Sequence, residues 1–165
     1  MRLHGLTLLA GAFLLAACGG GDRENAGGTA TDEPGATANT GGTATGTATA
    51  MPITGTTHEV RMIGDAQGYR FEPANITIRQ GDGIKWVMVS GGPHNVAFDP
   101  SDIPDQVEPQ LSANMPSQVG PLSSPMMMTP DQSYTISFAG VQAGSYDYHC
   151  TPHLALGMVG NITVE

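Results

Sequence analysis

From about Thr56 onward, apolar and polar positions alternate in short runs broken by turn residues. His58-Glu59-Val60-Arg61-Met62-Ile63 alternates, and so does Ile76-Thr77-Ile78-Arg79, which stops at Gln80-Gly81-Asp82-Gly83. Period two marks a half-buried strand, and Gly beside Asp marks a turn. The same reading places strands at Ile84–Val89, His94–Phe98, Gln132–Phe138, Ser145–Cys150 and Met158–Val164. Only Gln106–Asn114 suits a helical turn or two. About seven or eight short strands between residues 56 and 165 predict an all-β fold, an antiparallel Greek-key β-sandwich.

Parity sorts the side chains. Alternate strand residues share a face, so Tyr146, Tyr148 and Cys150 lie on one side and Asp147 and His149 on the other. Tyr134, Ile136 and Phe138 oppose Thr135 and Ser137. Met158, Ile162 and Val164 oppose Asn161, Thr163 and Glu165. Cys150 and Met158 are thus expected to point inward at one end of the sandwich.

The first fifty residues follow another pattern. Met1-Arg2 precedes a mostly apolar run, LTLLAGAFLLAA, that stops at Cys18. It is short for a bilayer-spanning helix and ends in small residues, so 1–17 reads as a cleaved signal peptide. Leu15-Ala16-Ala17-Cys18 resembles the lipobox of bacterial lipoproteins, which implies lipidation at Cys18. Gly, Thr and Ala then dominate to about Thr54 with nothing to bury. Residues 18–55 are therefore expected to form a disordered linker with a reach of ~30–36 Å, and the folded domain is expected over 56–165.

Composition narrows the function. The formal net charge is −9, which argues against nucleic acid and anionic lipid as partners. Apolar residues make up 39% and aromatic residues 5% of the chain, consistent with a modest core beside a long polar segment. There are 2 cysteines. With Cys18 lipidated, Cys150 has no thiol partner, and an exported free thiol is expected to be occupied.

The occupant is suggested by spacing. Cys150, His153 and Met158 form C-x2-H-x4-M on a loop between two strands. Thiolate, imidazole and thioether together suit both oxidation states of copper, and a second histidine would complete an electron-transfer set. His94, in Gly91-Gly92-Pro93-His94-Asn95, is placed to supply it. Taken singly, each residue has a plainer reading: a solvated turn histidine, a core methionine, a buried cysteine.

Gly92-Pro93-His94-Asn95-Val96 with Phe98 and Ile103-Pro104, and Cys150-Thr151-Pro152-His153 through Gly157-Met158-Val159-Gly160, resemble the blue (type 1) copper proteins of the cupredoxin family. The resemblance is to the plastocyanin and pseudoazurin group and covers roughly Glu59 to Glu165. It implies a single type 1 copper with His94, Cys150 and His153 in a trigonal plane and Met158 as axial ligand. It further implies that Asn95 braces the cysteine loop. His153 would be the electron exit, inside an apolar docking patch of Pro152, Leu154, Ala155 and Leu156. Leu154 and Leu156 packing inward is the alternative.

The implied function is a monomeric one-electron carrier, not an enzyme. It would be exported, lipid-anchored to the cell membrane or outer membrane, and would meet transient partners such as a cytochrome or membrane oxidoreductase. The competing reading is a copper carrier or storage protein, with Met126, Met127 and Met128 as a transfer site; loop filling is the plainer role for these three. A redox-silent zinc site would leave Met158 idle. An enzyme fragment would need a second metal cluster, and His58 and His149 form none. His149 stands where plant-type plastocyanins carry a tyrosine, which argues against a plant-like side route. Asp99, Asp102, Asp105 and Glu108 are scattered, suited either to steering a basic partner or to plain solvation. His58 has no assigned role.

Overall fold

The computed structural model describes residues 48–165. The signal peptide, Cys18 and most of the linker, all read from the sequence, lie outside the described residues.

Two sheets face each other. One has the strand order β2-β1-β4-β5, built from β1 (Thr57–Asp65), β2 (Gly68–Glu72), β4 (Gly83–Met88) and β5 (Ser133–Ser137). The other has the order β3-β7-β6, from β3 (Asn75–Ile78), β6 (Gly144–His149) and β7 (Val159–Val164). The inward residues of both sheets meet in one core, where Trp86, Tyr148, Phe138, Ile84, Ile136 and Ile162 are fully buried. A short helix, α1 (Glu108–Ala113), lies within the segment expected to be helical.

The sandwich is as expected, but its sheets are mixed rather than purely antiparallel. β1 runs parallel to β4 and β3 parallel to β7. Parallel neighbours need a long crossover. Here the chain leaves β1 through the β1–β2 hairpin, crosses to the other sheet as β3 and returns as β4. Alternation within a strand reports which face is buried; it is silent on the direction of the partner.

Two elements differ from expectation. β2 was not anticipated, although Tyr69 and Phe71 alternate with Arg70 and Glu72. It pairs with β1 from Arg61↔Glu72 to Asp65↔Gly68. The expected strand His94–Phe98 is instead an irregular segment whose five residues are all buried. It makes isolated pairs, His94 with Met127 and Ala97 with both Ser123 and His149. Wedged between neighbours on both sides, it buries consecutive residues and has no solvent face.

Residues ahead of β1 also belong to the body. Thr54 and Gly55 donate their N–H groups to the Gly81 carbonyl, both at 2.9 Å. Met51 N–H donates to Asn114 Oδ1 at 2.8 Å, and Gln110 Nε2 donates to the Thr49 carbonyl at 3.0 Å. Residues 49–55, assigned above to the linker, are thus hydrogen-bonded to α1 and to the β3–β4 turn.

At the other end, β1 and the segment after β4 meet backbone to backbone. Gly91 has φ +73°, and a Cβ there would lie 2.4 Å from Gly64 Cα. Gly64 N–H donates to the Ser90 carbonyl at 2.9 Å, and Ser90 Oγ donates to the Gly64 carbonyl at 3.0 Å. This approach fixes the stretch that delivers His94.

Candidate metal centre

Cys150 directly follows β6, His153 sits in the 3-10 turn Thr151–Leu156, and Met158 stands just before β7. The turn is tied to itself. His153 N–H donates to the Cys150 carbonyl at 3.0 Å, Met158 N–H to the His153 carbonyl at 3.2 Å, and Cys150 N–H to the Met158 carbonyl at 3.1 Å. Gly157, at φ +83°, takes the left-handed conformation that ends the turn, a position suited to glycine.

His94 comes from the other side of the sandwich. Its Nδ1 lies 3.6 Å from Cys150 Sγ and 3.2 Å from His153 Nδ1, and His153 Nδ1 lies 3.4 Å from Cys150 Sγ. His94, Cys150 and Met158 are fully buried, and His153 is 8% exposed. These are the four residues that spacing, the turn signal and strand parity single out in the sequence. Geometry brings the donor atoms of His94, Cys150 and His153 together, and Met158 is fully buried with its backbone bonded to both Cys150 and His153.

The protonation pattern follows from the hydrogen bonds. A carbonyl only accepts, so His94 Nε2, 2.8 Å from the Ser90 carbonyl, carries the proton. That leaves Nδ1 with its lone pair facing Cys150. Burial pushes the His94 imidazole below its ordinary range, partly opposed by the Ser90 carbonyl. Burial also lowers His153, with the neighbouring His94 adding to the effect, and raises the Cys150 thiol. Charge is disfavoured on all three groups.

Neutral lone-pair donors therefore converge in a largely buried site. A cation completes it. Imidazole nitrogen and sulfur suit zinc or copper; the fully buried Met158, bonded through its backbone to Cys150 and His153, favours copper. The residues present fit that metal.

Asn95 links the two sides. Its Oδ1 accepts from Thr151 N–H at 2.7 Å, and its Nδ2 donates to Thr151 Oγ1 at 3.1 Å and Ser123 Oγ at 3.2 Å. It is 1% exposed. The residue after His94 is thereby bonded to the residue after Cys150.

Tyr69 borders the site without any local sequence motif to mark it. The Tyr69 ring stacks on His153, centroids 3.8 Å apart at 12°, and meets His94 edge-on at 6.1 Å. The only signal was the aromatic alternation Tyr69/Phe71 after a turn glycine. That pattern predicts a strand but not that its hairpin reaches over the turn carrying His153.

The remaining candidates fall outside the donor set. Leu154 is 48% and Leu156 62% exposed, and Pro152 and Ala155 are exposed beside them, so the leucines do not pack inward. His58 pairs with Asp82, Nε2 to Oδ2 at 2.9 Å. His149 lies on the outer face of β6, half-buried. Asp99 caps the 3-10 turn Pro100–Asp102, accepting from Ser101 N–H at 3.0 Å.

Comparison with known proteins gives the same answer. The profile described as "Copper binding proteins, plastocyanin/azurin family" matches residues 58–165. The plastocyanin of Nostoc punctiforme is 36% identical over 110 residues, 66% of this chain and 74% of its own. The chloroplastic plastocyanin of Tetradesmus obliquus is 31% identical over 116 residues, 70% of this chain and 72% of its own. Among solved structures, oxidised plastocyanin from the fern Dryopteris crassirhizoma superposes with a TM-score of 0.51 at 28% identity, covering 65% of this chain and 99% of that one. Fold, donor set and kinship agree, and the chain belongs to the plastocyanin/azurin family of copper-binding proteins.

Proposed function

We propose that the chain is a one-electron carrier whose single copper is held by His94, Cys150, His153 and Met158. The observation that carries this reading is the convergence of the His94, Cys150 and His153 donor atoms at 3.2–3.6 Å in a buried site. Copper bound there supplies a one-electron couple. Everything else is supplied by the chain.

The protein's part is to keep the donors still, because donor movement on electron gain or loss slows transfer. Ser90 holds the His94 ring through Nε2, Tyr69 lies flat on His153, and the turn's own backbone bonds position Cys150 and Met158. Asn95 bonds the His94 segment to the cysteine loop. Cys150 gives up its thiol proton when it takes metal. Three of the four residues are fully buried, which supports a reading of transfer rather than turnover.

His153 is the one partly exposed member, at 8%, and is the proposed exit for the electron. Pro152, Leu154 and Leu156 rise around it as the proposed docking patch. Apolar surface of this kind suits a partner that binds briefly over a small area. The reading also takes the chain as exported, with 1–17 as signal peptide, Cys18 as the lipidated residue and the linker as a tether. The partner would then be a cytochrome or a membrane oxidoreductase.

The test is one equivalent of copper(II) added to the metal-free protein, followed by optical and paramagnetic-resonance spectroscopy. An intense blue band with narrow hyperfine splitting, bleached reversibly by a reductant and absent in Cys150→Ser, supports the reading. A colourless product sinks it.

A further inference from the structure

Three consecutive methionine sulfurs lie outside the donor set but next to the segment that supplies His94. Met126, Met127 and Met128 are consecutive, and the central one pairs with His94. His94 N–H donates to the Met127 carbonyl at 3.0 Å, and Met127 N–H donates back to the His94 carbonyl at 2.7 Å. Residues directly opposite in such a pair share a face, and their chain neighbours point to the other. Met127 accordingly faces inward and is 5% exposed, whereas Met126 is 42% and Met128 61% exposed.

The segment is held against the turn that delivers His94. A Cβ on Gly92 would lie 3.4 Å from the Met127 carbonyl oxygen and 3.7 Å from that of Met128. Met128 N–H and Thr129 N–H both donate to Gln132 Oε1, the latter at 2.9 Å. Two thioethers, two residues apart on one face of a braced segment, stand roughly 7 Å apart at their Cα atoms. Their flexible side chains can close on one ion.

Folding alone gives no reason for two exposed methionines here, since burial is what an apolar side chain gains from folding. Their chemistry gives one. Thioethers are soft donors that select copper(I) over copper(II), and bind hard or borderline cations poorly. The segment from Pro121 to Pro130 carries no acidic residue of its own; the first is Asp131.

We propose that Met126 and Met128 form a second, surface site for copper(I), from which the buried donor set is filled. This rests on the reading of His94, Cys150, His153 and Met158 as the permanent site. Filling is ligand exchange at constant oxidation state: the ion leaves the two thioethers as copper(I), the Cys150 thiol releases its proton to solvent, and the new sulfur–copper bond forms. No electron moves. The ion must pass around the backbone pair, because the exposed sulfurs and the His94 ring lie on opposite faces of it.

The experiment titrates the metal-free protein with copper(I) alone, anaerobically, against a chromophoric copper(I) chelator. Methionine methyl resonances are followed in parallel. Wild type should bind two equivalents, the second more weakly, with the Met126 and Met128 methyl signals shifting during the second step. Met126→Leu with Met128→Leu should bind one equivalent and fill the buried site at least tenfold more slowly. Oxidation should still give its full blue colour. Leucine keeps the volume and both positions are exposed, so folding should be preserved. Blue protein with a single equivalent in wild type, or an unchanged filling rate in the double variant, overturns the surface site and leaves the carrier reading intact. Failure of both proteins to turn blue strikes at the carrier reading instead.

Discussion

The phenol ring of Tyr69 lies flat on the imidazole of His153, centroids 3.8 Å apart and planes 12° from parallel. The contact joins the β1–β2 hairpin to the turn that follows β6, two parts of the chain with no backbone pairing. It covers the one donor residue that reaches the surface. A ring held this way cannot rotate without losing an aromatic contact worth about 0.5–1.5 kcal/mol beyond the area it buries.

Replacing Tyr69 separates this role from plain packing. Tyr69→Phe retains the ring and should keep the copper spectrum and the unfolding midpoint close to wild type. Tyr69→Ala should lower stability by about 1 kcal/mol for the lost stack alone. It should also let a chelator strip copper several-fold faster. Urea unfolding and stripping rates give both numbers. Equal stripping from the Phe and Ala variants would show that the stack does not restrain His153.

Asn95 gives a second prediction. Its Oδ1 is the acceptor for Thr151 N–H at 2.7 Å, and the Asn95 side is buried. Asn95→Ala should leave that N–H unpaired and cost about 1–3 kcal/mol. It should also loosen the tie between His94 and the cysteine loop. Denaturant melts of metal-free protein measure the first effect; broadening of the copper hyperfine lines reports the second. A variant as stable as wild type would mean that Thr151 finds another acceptor.

Asp82 predicts how stability depends on pH. Its carboxylate accepts from His58 Nε2 at 2.9 Å, Arg79 N–H at 3.1 Å and Thr56 N–H at 2.8 Å. These bonds, led by His58, hold its pKa at about 2, below the 3.8 expected in the unfolded chain. A depressed folded-state pKa contributes stability above the unfolded value, lost as pH falls through the folded one. The Asp82 contribution should thus be complete above about pH 4 and fade toward pH 2. Melting of wild type and Asp82→Asn at pH 6, 4 and 2.5 should show a gap that narrows only over the lower two. A gap constant across that range would rule out the carboxylate as its source.

The site was more legible than the fold around it, for a local reason. Cys150, His153 and Met158 lie on one turn, so their spacing is already a statement about geometry, and a Gly-Pro turn marked His94. What required the whole chain was hidden. Tyr69 meets His153 only because a hairpin folds over a distant turn, and alternation reveals the face of Tyr69 but not its neighbour. Likewise Val60 and Trp86 pair in parallel strands, a direction fixed by the crossover through the second sheet rather than by either strand. His94–Phe98 misled in the opposite sense, since an apolar run buried on both sides resembles a strand while its backbone hydrogen bonds are divided among Met127, Ser124, His149 and Leu122.

The apolar surface around His153 yields the last prediction. Leu156, 62% exposed, stands three residues from the proposed exit and outside the donor set. A carboxylate there should leave the copper spectrum and potential near wild type, because no donor contact changes. It should nonetheless weaken docking by placing a solvated charge where a partner must displace water. Leu156→Glu should therefore lower the second-order rate of electron exchange with a c-type cytochrome about tenfold. Net charge alone would also slow a partner that is attracted to an acidic protein, so Thr77→Glu is the necessary comparison. Thr77 is exposed on β3 and pairs with Thr163, well along β7 from the metal centre. If position rather than charge governs docking, Thr77→Glu should leave the rate within about twofold of wild type. Equal slowing in both variants would move the contact surface away from Leu154 and Leu156, and leave long-range electrostatics as the main influence on the rate.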